Sequence, residues 1–300
     1  MKTETYEVKN NNLTEDHTLA LITDMHLKDE LDKEYFDSMI STLEKVNPNY
    51  ITLAGDYFQG LQGKYTFWKE KSRNHLLYYL HAFREMAPVI MSLGNHDIER
   101  LHDKEKREHF KSLEDNNIYP LDNESLVLDD MNFMGYIPPK WAYPIDRIVR
   151  RKERMIVKDI NKYNFEIQDD KMNILLSHLP NILFDKYIMK KCPQIYQYDL
   201  VLSGHFHGGF TEEQEACLNK TIDRLEEIKL LKKHKEYLES LRYAGYIEIS
   251  LNPIPCLAKT TRGMHEVGGT TMIISRGAKT KHGLDDAYVT EVKLQKTKNP

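Results

Sequence analysis

Residues Asp199 to Gly209 read DLVLSGHFHGG. An aliphatic run of buried-strand type ends on Gly204 and passes at once into His205 and His207, set in a glycine-rich turn. Open α/β sheets gather ligands at the carboxyl ends of their strands, and glycine permits the tight turns and close backbone approach that such a rim needs. Four other short apolar runs end in the same manner. Thr18 to Thr23 (TLALIT) precedes Asp24-Met25-His26, and Tyr50 to Ala54 (YITLA) precedes Gly55-Asp56. Pro88 to Leu93 (PVIMSL) precedes Gly94-Asn95-His96-Asp97, and Met172 to Ser177 (MNILLS) precedes His178. Five such endings predict one shared rim. Alternate side chains of an extended segment face one way, so Asp24 with His26, and His205 with His207, are read as two chelating pairs. Taken singly, most of these groups have plain readings: a surface turn for Asp24 and His26, turns or helix caps for Asp56, Asn95 and Asp97, a core imidazole for His178.

The 300 residues carry 42 Lys and Arg against 46 Asp and Glu, a formal net charge of −4, which argues against a basic nucleic-acid coat. At 40% hydrophobic residues with 14 Gly and 11 Pro, the chain can build a sizeable core and is neither disordered nor collagenous. No apolar stretch approaches the roughly 20 residues that span a bilayer. Met1 to Asn12 is polar and mixed in charge, without a secretory pattern, so a cytoplasmic location is expected. Cys192, Cys217 and Cys256 lack CxxC spacing and are read as reduced, inert thiols.

Apolar runs alternate with segments at helical spacing, which predicts repeated strand–helix units. Helices are expected over Lys33 to Val46, Arg73 to Met86, Lys104 to Asp115 and Arg147 to Tyr163; Leu126 to Asp130 and Asn132 to Ile137 read as paired strands; Thr271 to Ser275 and Ala287 to Leu294 read as closing strands. Thr211 to Tyr243 contains neither Pro nor Gly, and leucines and isoleucines recur through it near helical spacing among balanced Glu and Lys. This predicts one domain, residues 1–300, with a helical insertion at 211–245 that lies on the body or serves a partner.

The ordered series DMH, GDYFQG, GNHD, SH and GHFH resembles the calcineurin-like metallophosphoesterases, whose motifs are DxH, GDxxxG, GNH[DE], a lone His and GHxH. Gly208-Gly209 and the later GGTTMIISRG, Gly268 to Gly277, are similar to the subgroup ending in GHxHGG, whose members often hydrolyse phosphodiesters or lipid-linked phosphoesters. The resemblance implies a four-layer αββα sandwich of two mixed sheets. It implies one divalent ion on Asp24, His26, Asp56 and His207, and a second on Asp56, Asn95, His178 and His205, with Asp56 bridging. Imidazole and oxygen donors suit Mn, Fe or Zn alike. A hydroxide bridging the metals would attack phosphorus, His96 would protonate the leaving group as general acid, and Asp97 would orient His96 or cap the following helix. Gln59-Gly60 stand where protein phosphatases carry an arginine, which disfavours that activity.

The substrate is expected to be a phosphate ester, nucleotide or lipid-linked included. Nucleic acid is disfavoured for want of a Lys/Arg block, peripheral membrane contact is left open, and no oligomeric state is read. The alternative is a scaffold of the same fold, weak or inactive in catalysis, acting through the 211–245 helix. The remaining histidines, His17, His75, His81, His102, His109, His234, His265 and His282, are read mostly as surface or helix residues, with His265 in a polar loop. Tyr57 and Phe58 are read as pocket wall or core, and Arg276-Gly277 as a site turn or a structural one.

Overall fold

The computed structural model describes residues 1–28, 31–58, 70–98, 108–139, 150–163, 165–180, 186–205, 247–249, 252–254, 263–278 and 287–297. The 211–245 segment, His207, Cys217 and Cys256 lie outside them.

Strand β1 (Lys2–Asn10) opens the chain, followed by β2 (His17–Ile22), α1 (Lys33–Val46), β3 (Tyr50–Ala54), α2 (Glu70–Arg84), β4 (Val89–Ser92) and β5 (Ile118–Pro120). The hairpin β6 (Ser125–Leu128) and β7 (Met131–Tyr136) leads to α3 (Arg150–Ile160), β8 (Met172–Ser177), α4 (Lys186–Lys191) and β9 (Leu200–Ser203). The small ribbon β10 (Ile247–Ile249) and β11 (Asn252–Ile254) precedes β12 (Gly263–Val267), β13 (Thr270–Ile274) and β14 (Tyr288–Lys296).

These strands form two mixed six-stranded sheets, ordered β1-β14-β2-β3-β4-β5 and β12-β13-β9-β8-β7-β6. Within the first, β2, β3, β4 and β5 run parallel; within the second, β7, β8, β9 and β13 do. Period-two alternation explains the layering. Leu19, Leu21, Tyr50, Ala54 and Ile90 from the first sheet meet Phe133, Ile174, Leu176, Leu200 and Leu202 from the second in one inner core. Their neighbours Ala20, Ile22, Ile51 and Leu53, and Met134, Leu175 and Val201, face outward to the helices. Helices α1 and α2 cover the first sheet, and α3 and α4 pack together over the second, giving an αββα sandwich.

The helix spacing of 33–46 is realised residue for residue. Asp32 caps α1 by accepting from Tyr35 N–H, and Asn47 ends it in the left-handed region at φ 48°. Several elements depart from the sequence reading: strand β5 and helix α4 were not expected, and of the helix expected over Lys104 to Asp115 the described part is helical only from 108 to 111. Residues 2–10 form an edge strand parallel to β14, unannounced because almost every position is partly or fully exposed. The expected polar loop around His265 is strand β12, antiparallel to β13. Helix α2 begins at Glu70 and ends at Arg84, earlier at both ends than its apolar spacing suggested.

Two of the histidines read as surface or helix residues are buried, His75 within helix α2. His17 is 5% exposed and meets Asp130 through Nε2 at 2.8 Å, and His75 is 8% exposed, its Nδ1 bonded to the Lys28 carbonyl. Cys192 is free and buried, and burial pushes its thiol up to about 11, which keeps it protonated and unreactive. Among the described residues, no helix is long and apolar enough to cross a membrane.

Candidate functional site

Parallel strands deliver the loops after β2, β3, β4, β8 and β9 to one end of the sandwich, and hydrogen bonds between loops lock that end. Asp24 N–H donates to Gly55 O at 3.0 Å, His26 N–H to Asp56 O at 3.1 Å, and Gly204 N–H to His178 O at 3.3 Å. Ala278 N–H, in the turn after β13, donates to Thr23 O at 2.7 Å.

The expected extended geometry of residues 24–26 is not what brings Asp24 and His26 together. Both lie in the left-handed region, at φ 56° and 44°, as do Asp56 at 57° and His205 at 77°. Asp and His tolerate that region better than most side chains, yet the conformation still costs energy that the surrounding packing must offset. The chain therefore curls at each of these four positions, and the curl aims the side chains inward. Gly204 serves a different need: a Cβ there would stand 2.7 Å from Asp24 Oδ2.

Six expected residues converge. Asp24 Oδ1 lies 3.9 Å from both His26 Nε2 and His178 Nε2. Asp56 Oδ2 lies 3.2 Å from His178 Nε2 and 3.8 Å from His96 Nε2. The His26 and His96 rings meet edge to face at 5.0 Å, and those of His178 and His205 at 5.2 Å. Two overlapping triads result: His26, Asp56 and His96, and Asp56, His178 and His205, each with donor atoms within 4.8 Å of one another. Asp56 belongs to both.

The donor set fits a cation. Asn95 Oδ1 is buried with no hydrogen-bond partner among the described residues, and an orphaned buried carbonyl oxygen beside carboxylates and imidazoles is what a metal would satisfy. Electrostatics agree. Burial would raise the Asp56 carboxyl, but the imidazoles of His178, His96 and His26 hold it well below the usual carboxylate range. Burial would lower His178, yet Asp56 and Asp24 push it up to about 9. Positive charge is thus favoured inside a buried cluster.

Several supporting groups have no local sequence signal. Thr23 Oγ1 donates to Asp24 Oδ2 at 2.7 Å, and the His205 N–H donates to the same oxygen at 3.1 Å. The Ala54 carbonyl engages His178 Nδ1 at 2.6 Å, leaving Nε2 to face the carboxylates. His96 N–H donates to Asp56 Oδ1 at 2.8 Å.

Asp97 takes a place that neither reading of it anticipated. Its Oδ2 accepts from Asp56 N–H at 2.7 Å and Gly94 N–H at 2.8 Å; its Oδ1 accepts from Tyr57 N–H at 2.9 Å and Phe58 N–H at 3.3 Å. Both oxygens are spent on main chain, so the carboxyl fastens the 55–58 loop to the 94–97 loop. Burial and the Asp56 charge push it up to about 8, against the pull of these donors. Tyr57 and Phe58 are wholly buried core, with the Tyr57 hydroxyl donating to Leu53 O at 3.1 Å. Arg276 turns away from the site: its Nε lies 3.3 Å from Glu4 Oε1 and its guanidinium stands over the Tyr288 ring.

Known proteins resemble this chain. The model of calcineurin-like phosphoesterases matches residues 17–209. A metallophosphoesterase of Campylobacter jejuni is 24% identical over 204 residues, covering 66% of this chain and 46% of its own length. One from Helicobacter pylori is 26% identical over 191 residues, 64% of this chain and 44% of the relative. The chain spans about half the length of the curated relatives it matches. A purple acid phosphatase from yellow lupin seeds, at 12% identity, aligns with TM-score 0.40 over 66% of this chain and 39% of its own.

Proposed function

The chain belongs to the calcineurin-like phosphoesterase family, and on that footing we propose that it hydrolyses phosphate esters, diesters in preference to monoesters, with two divalent ions. The observation that carries the proposal is the pair of triads sharing Asp56. Asp24, His26, Asp56 and His207 would hold one ion, and Asp56, Asn95, His178 and His205 the other. Mn, Fe and Zn all suit imidazole and oxygen donors. Bound there, such ions supply Lewis acidity toward the phosphoryl oxygens and a water acidic enough to serve as nucleophile near neutral pH.

The chain's own groups do the rest. His96 is the general acid: its Nε2 gives a proton to the departing ester oxygen, which leaves as an alcohol. Its exposure supports that role, since its side chain is 18% exposed against 2% for His26 and 0% for His178. The His96 N–H to Asp56 Oδ1 bond ties the acid's main chain to the shared carboxylate, so proton donor and metal cradle keep a fixed relation. Ala54 O holds the His178 ring, and Thr23 and the His205 N–H hold Asp24.

The test is metal content by mass spectrometry, with turnover of bis(p-nitrophenyl) phosphate and p-nitrophenyl phosphate after Mn²⁺ addition. Two ions per chain and faster diester cleavage are expected, and Asp56→Asn should lose most of both metal and turnover. A chain with neither metal nor turnover would instead be a scaffold of the same fold.

A further inference from the structure

The helical layer over the second sheet carries charge of nearly one sign. Residues 150–162 hold six Lys or Arg and residues 186–191 hold three more, against two carboxylates, Glu153 and Asp159, on a chain whose net charge is −4. One of those carboxylates is turned inward: Asp159 is 5% exposed and is engaged by the Tyr136 hydroxyl at 3.1 Å and by Lys162 at 3.0 Å. Helices α3 and α4 pack against each other, with Ile156, Ile160, Ile188 and Cys192 buried beneath them. Arg154, Lys158, Lys190 and Lys191 are exposed and make no ion pair among the described residues. Elsewhere cations such as Arg84 and Lys111 are matched, by Asp115 and Glu124. Topology fixes where this layer begins. Strands β7 and β8 are parallel with Tyr136 beside Ser177 in register, so the connection to α3 starts at the same end as His178.

We propose that the α3–α4 layer docks the protein on an anionic phospholipid bilayer, with the metal rim at the edge of the docked face. Such a surface attracts basic residues by about 1 kcal/mol each and demands only sign and flatness of its partner. Met155, 40% exposed among the cations, offers the apolar contact that an interfacial layer favours. Single-stranded nucleic acid would call for stacking rings, and among the residues of this layer whose burial is described no aromatic is highly exposed. The docking does not depend on the hydrolytic reading.

The full chain is sedimented with phosphatidylcholine vesicles, with and without phosphatidylglycerol, at low and high salt, and the variant R154E/K158E/K190E/K191E is run beside it. Binding that requires phosphatidylglycerol, weakens with salt and falls more than about a hundredfold in the variant is expected. Turnover of soluble bis(p-nitrophenyl) phosphate by the variant, expected at the parent level, reports the metal site separately. Equal binding to pure phosphatidylcholine, undiminished binding by the variant, or binding to duplex DNA with no binding to phosphatidylglycerol vesicles would each overturn the proposal.

Discussion

The main chain at Gly94 lies against the side chain of Asp56: a Cβ at position 94 would stand 2.9 Å from Asp56 Cγ and closer still to one of its oxygens. Gly55 presses on Gly94 from the other loop, where its own Cβ would meet the Gly94 Cα at 2.7 Å. The shared carboxylate is thus clamped where no side chain fits. Gly94→Ala is expected to destabilise the fold by about 1–3 kcal/mol through overpacking and to reduce metal retention. Thermal melting and metal analysis on one sample check this; unchanged metal content would mean that Asp56 can shift without cost.

His96→Ala is expected to slow dialkyl phosphate diesters by about 10²–10⁴-fold and bis(p-nitrophenyl) phosphate far less, because nitrophenolate leaves without a proton. Rates across a series of leaving groups give the answer. His96 Nε2 also lies 3.8 Å from Asp56 Oδ2, inside one of the triads, so metal content is measured alongside. An equal loss on every ester together with a lost ion would make His96 a ligand and not the acid.

Asp97→Asn should harm the protein almost as much as Asp97→Ala. Four N–H groups converge on two carboxylate oxygens, and an amide would turn an NH₂ toward two of them, leaving buried donors unsatisfied at about 1–3 kcal/mol. Both variants are expected to lose metal and melt lower. Should Asp97→Asn keep its metal and slow only esters with poor leaving groups, the carboxyl would be orienting His96 instead.

Far from the rim, Asp130 Oδ2 accepts from the Thr14 hydroxyl at 2.7 Å, and its Oδ1 meets His17 Nε2. Burial would raise this carboxyl, but Thr14 and His17 hold it below the ordinary range. A group whose folded value is depressed stabilises the fold above its unfolded value, near 3.9, and loses that contribution as pH falls through the folded value. Asp130→Asn should therefore melt lower at neutral pH and approach the parent as pH drops through about 4 and below. Melting curves from neutral to acid conditions decide it; a constant gap would assign the effect to packing alone.

Much of the sandwich was legible because its buried strands alternate two outward environments, and TLALI, YITLA and MNILLS carry that pattern in short apolar runs. The N-terminal strand was not, since the KTETYEVKN edge is mostly exposed and its alternation carries only two apolar side chains, Tyr6 and Val8. At the site, residue types and order announced the rim. The curled backbone at Asp24, His26, Asp56 and His205 was hidden, because the left-handed region leaves no trace in the identity of a residue that is not glycine. The Asp97 fastening was hidden for another reason: bonds from one side chain to main chain 39 to 41 residues away have no local periodicity. The same holds for the Ala54 carbonyl on His178, across 124 residues.

The four curled positions of the rim cost stability that the sandwich has to supply. Glycine relieves the left-handed penalty, on the order of 1 kcal/mol per residue, so glycine at the partly exposed His205 gains back part of that strain, whereas at the buried Asp24 and His26 the lost contacts outweigh it. Heat tolerance and turnover are therefore set in opposition at His205, and laboratory selection for robustness alone would act there before it touched the buried carboxylates.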